Sequence, residues 1–273
     1  YLNAGAPDEL VSSLKAIMQD ISERGRSAAS VSINGDQLFG ILGDEVRIFQ
    51  ARYSGRTMTG DVWSYSLDAD GNINTEPVWK AAEELDDRVD SDGHEDRIIA
   101  TYSLASGVGG IPFRFSNIDA SGTTMQVEYL TPDWSAAAAA SPENLVRYLR
   151  GEQANEAKKM GPFRDRLSRL GDIVNSSPTY YGNMLYAGGN DGMLHAFDAE
   201  TGREVFAYVP GLVYDHIKDY ADPGYSHLFY VDQTPYVADG VEISGTPKTV
   251  LLGGLGKGGK GYYALDISDV SGT

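Results

Sequence analysis

The feature that most restricts what this chain can become is a strand-and-turn unit that occurs twice in its final third. Residues 176–202, SSPTYYGNMLYAGGNDGMLHAFDAETG, hold a proline-led strand, a glycine turn, a second strand, another turn and a third strand ending in Phe197-Asp198. Residues 233–268, QTPYVADGVEISGTPKTVLLGGLGKGGKGYYALDIS, repeat that order, with Pro235 in the place of Pro178 and Leu265-Asp266 in the place of Phe197-Asp198. A shorter copy, WSYSLDADG at 63–71, shares the strand end and the turn.

A unit of three or four antiparallel strands cannot bury both of its faces alone, so it must stack against others like it. The proline-to-proline distance of about 57 residues exceeds the hairpin spacing of roughly 8–12 residues typical of a sheet sandwich, which favours blades arranged around an axis. The expected fold is therefore all-β, an incomplete β-propeller of antiparallel blades within one domain spanning 1–273. Around that frame, Leu10, Leu14, Ile17, Met18 and Ile21 recur at helical spacing and predict a short N-terminal helix over 8–24. Residues 28–133 read as the first blades, interrupted by an acidic insertion at 83–96. Residues 134–168 read as a helical insertion carrying Leu145, Val146, Tyr148 and Leu149, and 169–273 as two consecutive blades.

Composition narrows the function classes. The 273 residues hold 39 acidic and 22 basic side chains, a formal charge of −17 that repels phosphate backbones, so no nucleic-acid partner is expected. The absence of cysteine removes disulfides, thiolate catalysis and cysteine-based metal centres together. No stretch reaches the roughly 18–20 apolar residues of a membrane span. The chain opens at Tyr1 with neither a methionine nor a leader-like segment, so a natural N-terminus with any secretion signal is expected to lie upstream.

The patterns that could carry chemistry are thin. GLGKGGKG at 254–261 approaches a phosphate-binding loop, but Gly261 stands where a hydroxyl should hold magnesium, and Tyr262 to Ile267 alternate like a strand and open no helix. An inter-strand turn is the simpler reading. DADGNIN at 68–74 and DRVDSDGHED at 87–96 suggest calcium, yet aligning their glycines on an EF-hand loop puts Ser66 or Arg88 at its first position and Pro77 or Ile99 at its twelfth. An irregular metal site on Asp90, Asp92 and Asp96 remains a candidate beside the plainer reading of a solvated acidic turn. His195 lies in a strand pattern and reads as a hydrogen-bonded structural histidine, and Ser176 and Ser177 lack a nucleophile motif. No catalytic or cofactor-binding residue is assigned, and the chain is expected not to be an enzyme.

The unit at 176–202 resembles quinoprotein-type propeller blades. More specifically, RLGDIVNSSPTYYGNMLYAGGNDGMLHAFDAETGREVFAYVP at 169–210 with YSHLFYVDQTPYVADGV at 225–241 resembles the C-terminal domain of the PilY family, type IV pilus assembly factors and tip adhesins. TGDVWSYSLDADG at 59–71, Arg97 to Thr101, VRYLRG at 146–151 and Phe163 to Arg166 agree in order. The resemblance implies part of a modified seven-bladed propeller, of which three to five blades with exposed strand edges are expected here. It implies work outside the cell, at the pilus tip or outer membrane, with minor pilins as partners and host surface ligands as a second class. It also implies pilus assembly, opposition to retraction, and a calcium loop in a later blade that matches no position here, so calcium would belong to the parent protein and no cofactor to this segment. Two alternatives share the blade pattern. One is a quinone-dependent dehydrogenase, disfavoured by the missing cysteines and by Trp63, Trp79 and Trp134 lying outside the best-formed blades. The other is a propeller scaffold of outer-membrane assembly.

Overall fold

The computed structural model describes residues 28–33, 47–68, 72–105, 109–120, 124–134 and 140–270; the expected helix over 8–24 and most of the alanine run before Ser141 lie outside them. The described residues form three sheets and four α-helices. Strands β1 (Ala28–Ile33), β2 (Arg47–Ser54), β3 (Thr59–Ser66) and β4 (Trp79–Lys80) make an antiparallel sheet in sequence order. After helix α1 (Ala81–Asp92) come β5 (Ile99–Tyr102), β6 (Gly110–Pro112) and helices α2 (Phe115–Ala120), α3 (Thr124–Tyr129) and α4 (Pro142–Leu149). Strands β7 (Thr179–Tyr181), β8 (Met184–Gly188), β9 (Leu194–Asp198) and β10 (Glu204–Val209) form an antiparallel meander, and β11 (Tyr236–Ile243), β12 (Thr246–Gly254) and β13 (Tyr262–Asp266) form the last sheet.

The repeat seen in the sequence has one structural cause at its end. Asp198 closes β9 and its Oδ1 accepts the N–H groups of Glu200 and Thr201 at 3.0 and 2.8 Å. Asp266 closes β13 and takes the Ser268 N–H at 3.1 Å, and Asp68 takes the Asn72 N–H at 2.8 Å. At Asp198 and Asp266 the aspartate builds an Asx-type turn that stops the strand, whereas the Asp68 bond reaches four residues on.

The sheets stack face to face without closing a ring, an incomplete all-β propeller. Phe49, Ala51, Val62 and Trp79 of the first sheet share a core with Leu185, Ala187 and Phe197 of the second. Leu251, Leu255 and Tyr263 of the third share another with Tyr186, Ala207 and Tyr208, the Tyr208 and Tyr263 rings lying 5.3 Å apart. The edge strand β7 touches both β1 and β11, so one edge of each sheet gathers at a common place. Repeat-equivalent positions also meet there: Asn175 Nδ2 donates to Asp232 at 2.6 Å and the Ser177 N–H to Thr234 at 2.9 Å. A rotation about a nearby axis brings equivalent residues of neighbouring units together in this way, whereas a sandwich does not.

Two expectations from the sequence change. The acidic stretch 87–96 is not a solvated turn over its length, since its first part belongs to helix α1: α1 buries Ala81, Ala82, Leu85 and Val89 along one side, and its start is held by the Ala82 N–H donating to Asp61 of β3 at 2.9 Å. Burial pushes the Asp61 carboxyl up to about 6. Residues 99–112 do not build a blade within 28–133. They extend the second sheet to the order β6-β5-β10-β9-β8-β7, with β5 parallel to β10 through Ile99 opposite Ala207. Four residues of alternation in β5 cannot name a partner strand so far along the chain. Of the tyrosines, Tyr65, Tyr148, Tyr186, Tyr208, Tyr214, Tyr220, Tyr230 and Tyr263 are buried.

Trp79 locks the first two sheets together. Its Nε1 donates to the Ala199 carbonyl at 3.2 Å, and its ring lies where a Cβ on Gly202 would come within 2.6 Å. Gly202 also sits at φ +78°. Gly202→Ala should cost about 2–4 kcal/mol in urea unfolding, from overpacking plus left-handed backbone strain. Gly182→Ala, at φ +59° with nothing within 4 Å, should cost only about 1 kcal/mol.

Candidate functional site

A chain of four ionisable side chains runs through the middle of the second sheet. Asp191 lies in the β8–β9 turn, where its carboxylate accepts the Gly171 N–H at 2.9 Å and faces His195 Nε2 at 3.1 Å. His195 Nδ1 is 2.8 Å from Glu204 Oε1 at the start of β10, and Arg97 binds Glu204 through Nε and Nη2, each at 2.8 Å. Arg97 Nη1 then donates to the Arg150 carbonyl at 3.0 Å. Burial opposes every one of these charges, and the pairing overcomes it. Asp191 and Glu204 push the His195 imidazole up to about 9, while Arg97 and His195 hold the Glu204 carboxyl well below the usual range. Asp191, beside His195, is held low as well. His195 is 0% exposed, so the imidazolium is an interior strut and has no access to a substrate.

A second polar cluster bridges the second and third sheets. Asp172 accepts from Asn190 Nδ2 at 3.1 Å and contacts His227 Nε2 at 2.5 Å, and Asn190 Oδ1 accepts the Tyr230 N–H at 3.0 Å. Nearby, Asn175, Asp232, Thr234 and Lys257 line a cleft of about 420 Å³. Lys257 belongs to the glycine run, which here is a 3₁₀ turn over Gly256–Gly258 joining antiparallel β12 and β13. The turn packs on its own protein: a Cβ on Gly258 would meet the Tyr230 carbonyl oxygen at 1.9 Å. It cradles no phosphate.

The three acidic candidates are not gathered. Asp90, on α1, pairs with Arg169; Asp96 accepts from Arg88 Nη2 at 3.0 Å; Asp92 ends the helix and accepts from Ser91 at 2.9 Å. Among the described residues no group of three or more histidine, aspartate or glutamate side chains is placed to hold a metal ion. The residues that sequence reasoning missed are Arg97, Arg150 and Glu204. Their signal was present as single charges flanking apolar runs, RIIAT and EVFAYV, where a buried strand tolerates a charge only if a partner comes with it.

Residues 175–273 match the family described as the PilY1 beta-propeller domain. The chain is 31% identical to the type IV pilus biogenesis factor PilY1 homolog of Xylella fastidiosa, over 99% of this chain and 22% of that protein. It is 30% identical to the type IV pilus biogenesis factor PilY1 of Pseudomonas aeruginosa strain PAK, over 98% of this chain and 26% of that protein. The chain thus spans about a quarter of the length of these curated relatives. No solved structure gives a significant match.

The charge chain sets a pH dependence. His195 has a folded pKa near 9, above its unfolded value of about 6.5, so its contribution is fully present below pH 6.5 and is lost as pH rises through 9. That contribution is on the order of 3 kcal/mol. Asp191 and Glu204, held low, contribute above their unfolded values and lose that contribution as pH falls below about 4. Urea unfolding of the wild type between pH 6 and 9 should show stability declining with pH, and His195→Gln should flatten that decline. Arg97→Ala should cost about 3–5 kcal/mol at pH 7, because it leaves Glu204 buried without its cation.

Proposed function

Because the chain belongs to the PilY family, we propose that it is a propeller segment of a type IV pilus biogenesis factor and acts by binding other proteins of the pilus system, not by catalysis. The observation that carries this reading is the similarity to named pilus biogenesis factors over 98–99% of the chain. The interior chemistry supports it. The strongest titratable cluster, Asp191, His195 and Glu204, is consumed by internal pairing at under 5% exposure, and Asp172 and Asp232 are likewise buried in the joint between sheets. Minor pilins are the proposed partners, and host surface ligands a second class through a tip adhesin. The place of action is the cell surface, at the pilus tip or outer membrane. Any calcium would act in the parent protein outside these residues.

We read the three sheets as successive blades. On that reading the outer side of β11–β13, where Tyr236, Leu252 and Tyr262 are 65, 44 and 77% exposed, is the side that a further blade covers. Partners then reach the propeller at its outer rim and loop ends. The full-length protein, immobilised and exposed to the minor pilins of the same organism, should retain at least one of them; retention of none would count against the reading. The dehydrogenase alternative expects a quinone absorbance after reconstitution with calcium and a quinone, and none should develop.

A further inference from the structure

The outer rim of the second sheet carries a cleft whose chemistry differs from the rest of this acidic chain. It measures about 560 Å³ and lies between the segment around Glu95, strand β5, edge strand β6, Arg114 and Arg150. Arg150, the C-cap residue of α4, is 1% exposed. Its Nη1 donates to the Phe113 carbonyl at 3.1 Å, and its Nη2 to the carbonyls of Arg97, His94 and Glu95 at 2.8, 3.0 and 3.2 Å. Its Nε has no partner. Among the described residues no carboxylate makes a close pair with it, the nearest being Glu95 Oε2 at 3.9 Å. Burial and the neighbouring Arg114 and Arg97 lower its pKa to about 10.

The other charges lining the cleft are already committed. Arg97 is taken by Glu204 and Asp96 by Arg88. Arg114 pairs with Glu95, whose side chain is 52% exposed. Two arginines therefore share one half-exposed carboxylate, which also faces His94 Nε2 at 3.2 Å, in a chain of net charge −17. An arginine buried without a full counter-charge is costly, and an incoming carboxylate lowers that cost.

The backbone beside the cleft is suited to an extended chain. The Phe113 N–H donates to Ile99 and the Gly109 carbonyl accepts from Ser103, so alternate residues of β6 turn their polar groups toward β5. Gly110 then faces away from it, while the Pro112 carbonyl already accepts the Arg114 N–H at 2.8 Å, and among the described residues no strand pairs with that side. Pro112 offers no N–H, which limits any added strand to a short one. Ile98, 64% exposed on the rim, supplies an apolar contact.

We propose that this cleft binds a carboxylate carried by a short extended peptide segment of a partner protein, laid along β6, with the carboxylate displacing Glu95 from Arg114 and drawing on the charge of Arg150. Glu95 is the internal placeholder for that ligand. The inference does not depend on the pilus reading, since it rests on the cleft alone. It is also compatible with a closed propeller: β6 lies at the far end of its sheet from β7, where the sheets gather, so neighbouring blades leave it open.

The test uses the 273-residue chain and fluorescence anisotropy at low and physiological salt. The probes are three labelled alanine-rich hexapeptides: one with an internal glutamate and an amidated end, one neutral with a free C-terminal carboxylate, and one neutral and amidated. At least one of the two carboxylate peptides should bind tenfold or more tightly than the neutral amidated one, and which of them does so identifies the source of the carboxylate. Arg114→Ala should weaken that binding at least tenfold. Glu95→Gln should tighten it several-fold, an effect that a merely destabilising change would not produce. Equal binding of all three peptides, or Glu95→Gln weakening the carboxylate peptide or leaving it unchanged, would overturn the proposal. Arg150→Lys serves as a second variant: if folded by circular dichroism, it should weaken binding, and unaltered affinity would also overturn the proposal.

Discussion

The two-pronged pair between Arg97 and Glu204 is the contact on which the central sheet depends. Removing two such charges from water is expensive, and their attraction offsets the cost only when every remaining lone pair and N–H is used. Here most are: His195 Nδ1 joins Arg97 Nη2 at Glu204 Oε1, Asp191 faces His195, and the Arg150 carbonyl accepts from Arg97 Nη1. The geometry also fixes register. Strand β5 reaches β10 from residues about a hundred positions earlier, and its apolar alternation would fit equally well two residues up or down. Only with Ile99 opposite Ala207 does the guanidinium of Arg97 meet Glu204. A polar contact thus selects among pairings that hydrophobic burial leaves nearly equal in energy.

What could be read from the sequence divides along the range of the interactions involved. The strand ends at Asp198 and Asp266 were legible because an Asx turn is local chemistry written in three or four adjacent residues. The helix over Pro142–Leu149 was legible for the same reason: Ser141 caps it, its Oγ accepting the Asn144 N–H at 3.2 Å, and Pro142 occupies the first turn. Helix α1 was hidden because its acidic residues outnumber the four apolar ones that form its buried side. The parallel β5–β10 pair was hidden because nothing in either strand names the other. Tyr214 and Tyr230 pack inside and bring their hydroxyls to the Thr101 hydroxyl and the His216 carbonyl.

The candidate metal residues show how an acidic composition misleads. Asp86 and Asp90 flank Arg169, Asp96 holds Arg88, and Glu156 is buried against Arg166 at 2.9 Å. The carboxylates of α1 staple the helix to neighbouring segments, and are not arranged to converge on a cation. The same pairing draws basic charge inward. Arg97, Arg150, Arg166 and Arg169 are all buried, and so are Glu156, Asp172, Asp191, Asp198, Glu204 and Asp232, so the accessible surface keeps the acidic excess of the whole chain. Against such a surface, a cleft with an under-neutralised arginine stands out as a place where the local field has the opposite sign.

Position within the sheet explains why that cleft and the helices occur together. The faces of a blade are consumed by its neighbours, as Trp79 and Tyr263 show at the two contacts, and the edge that includes β7 is consumed by β1 and β11. The outer rim, like the loop ends, is a part of a blade where inserted chain meets no packing constraint from another blade. Strands β5 and β6 and helices α2 to α4 all attach to that side of the second sheet, held to it by Arg97 and Arg150. An insertion anchored by buried arginines must bring their counter-charges with it or leave them for a ligand. Arg97 found Glu204 within the sheet, whereas Arg150 found four carbonyls and only a distant carboxylate. That asymmetry, set by where the blade meets solvent, is what gives the rim a binding chemistry that the interior of the blade does not have.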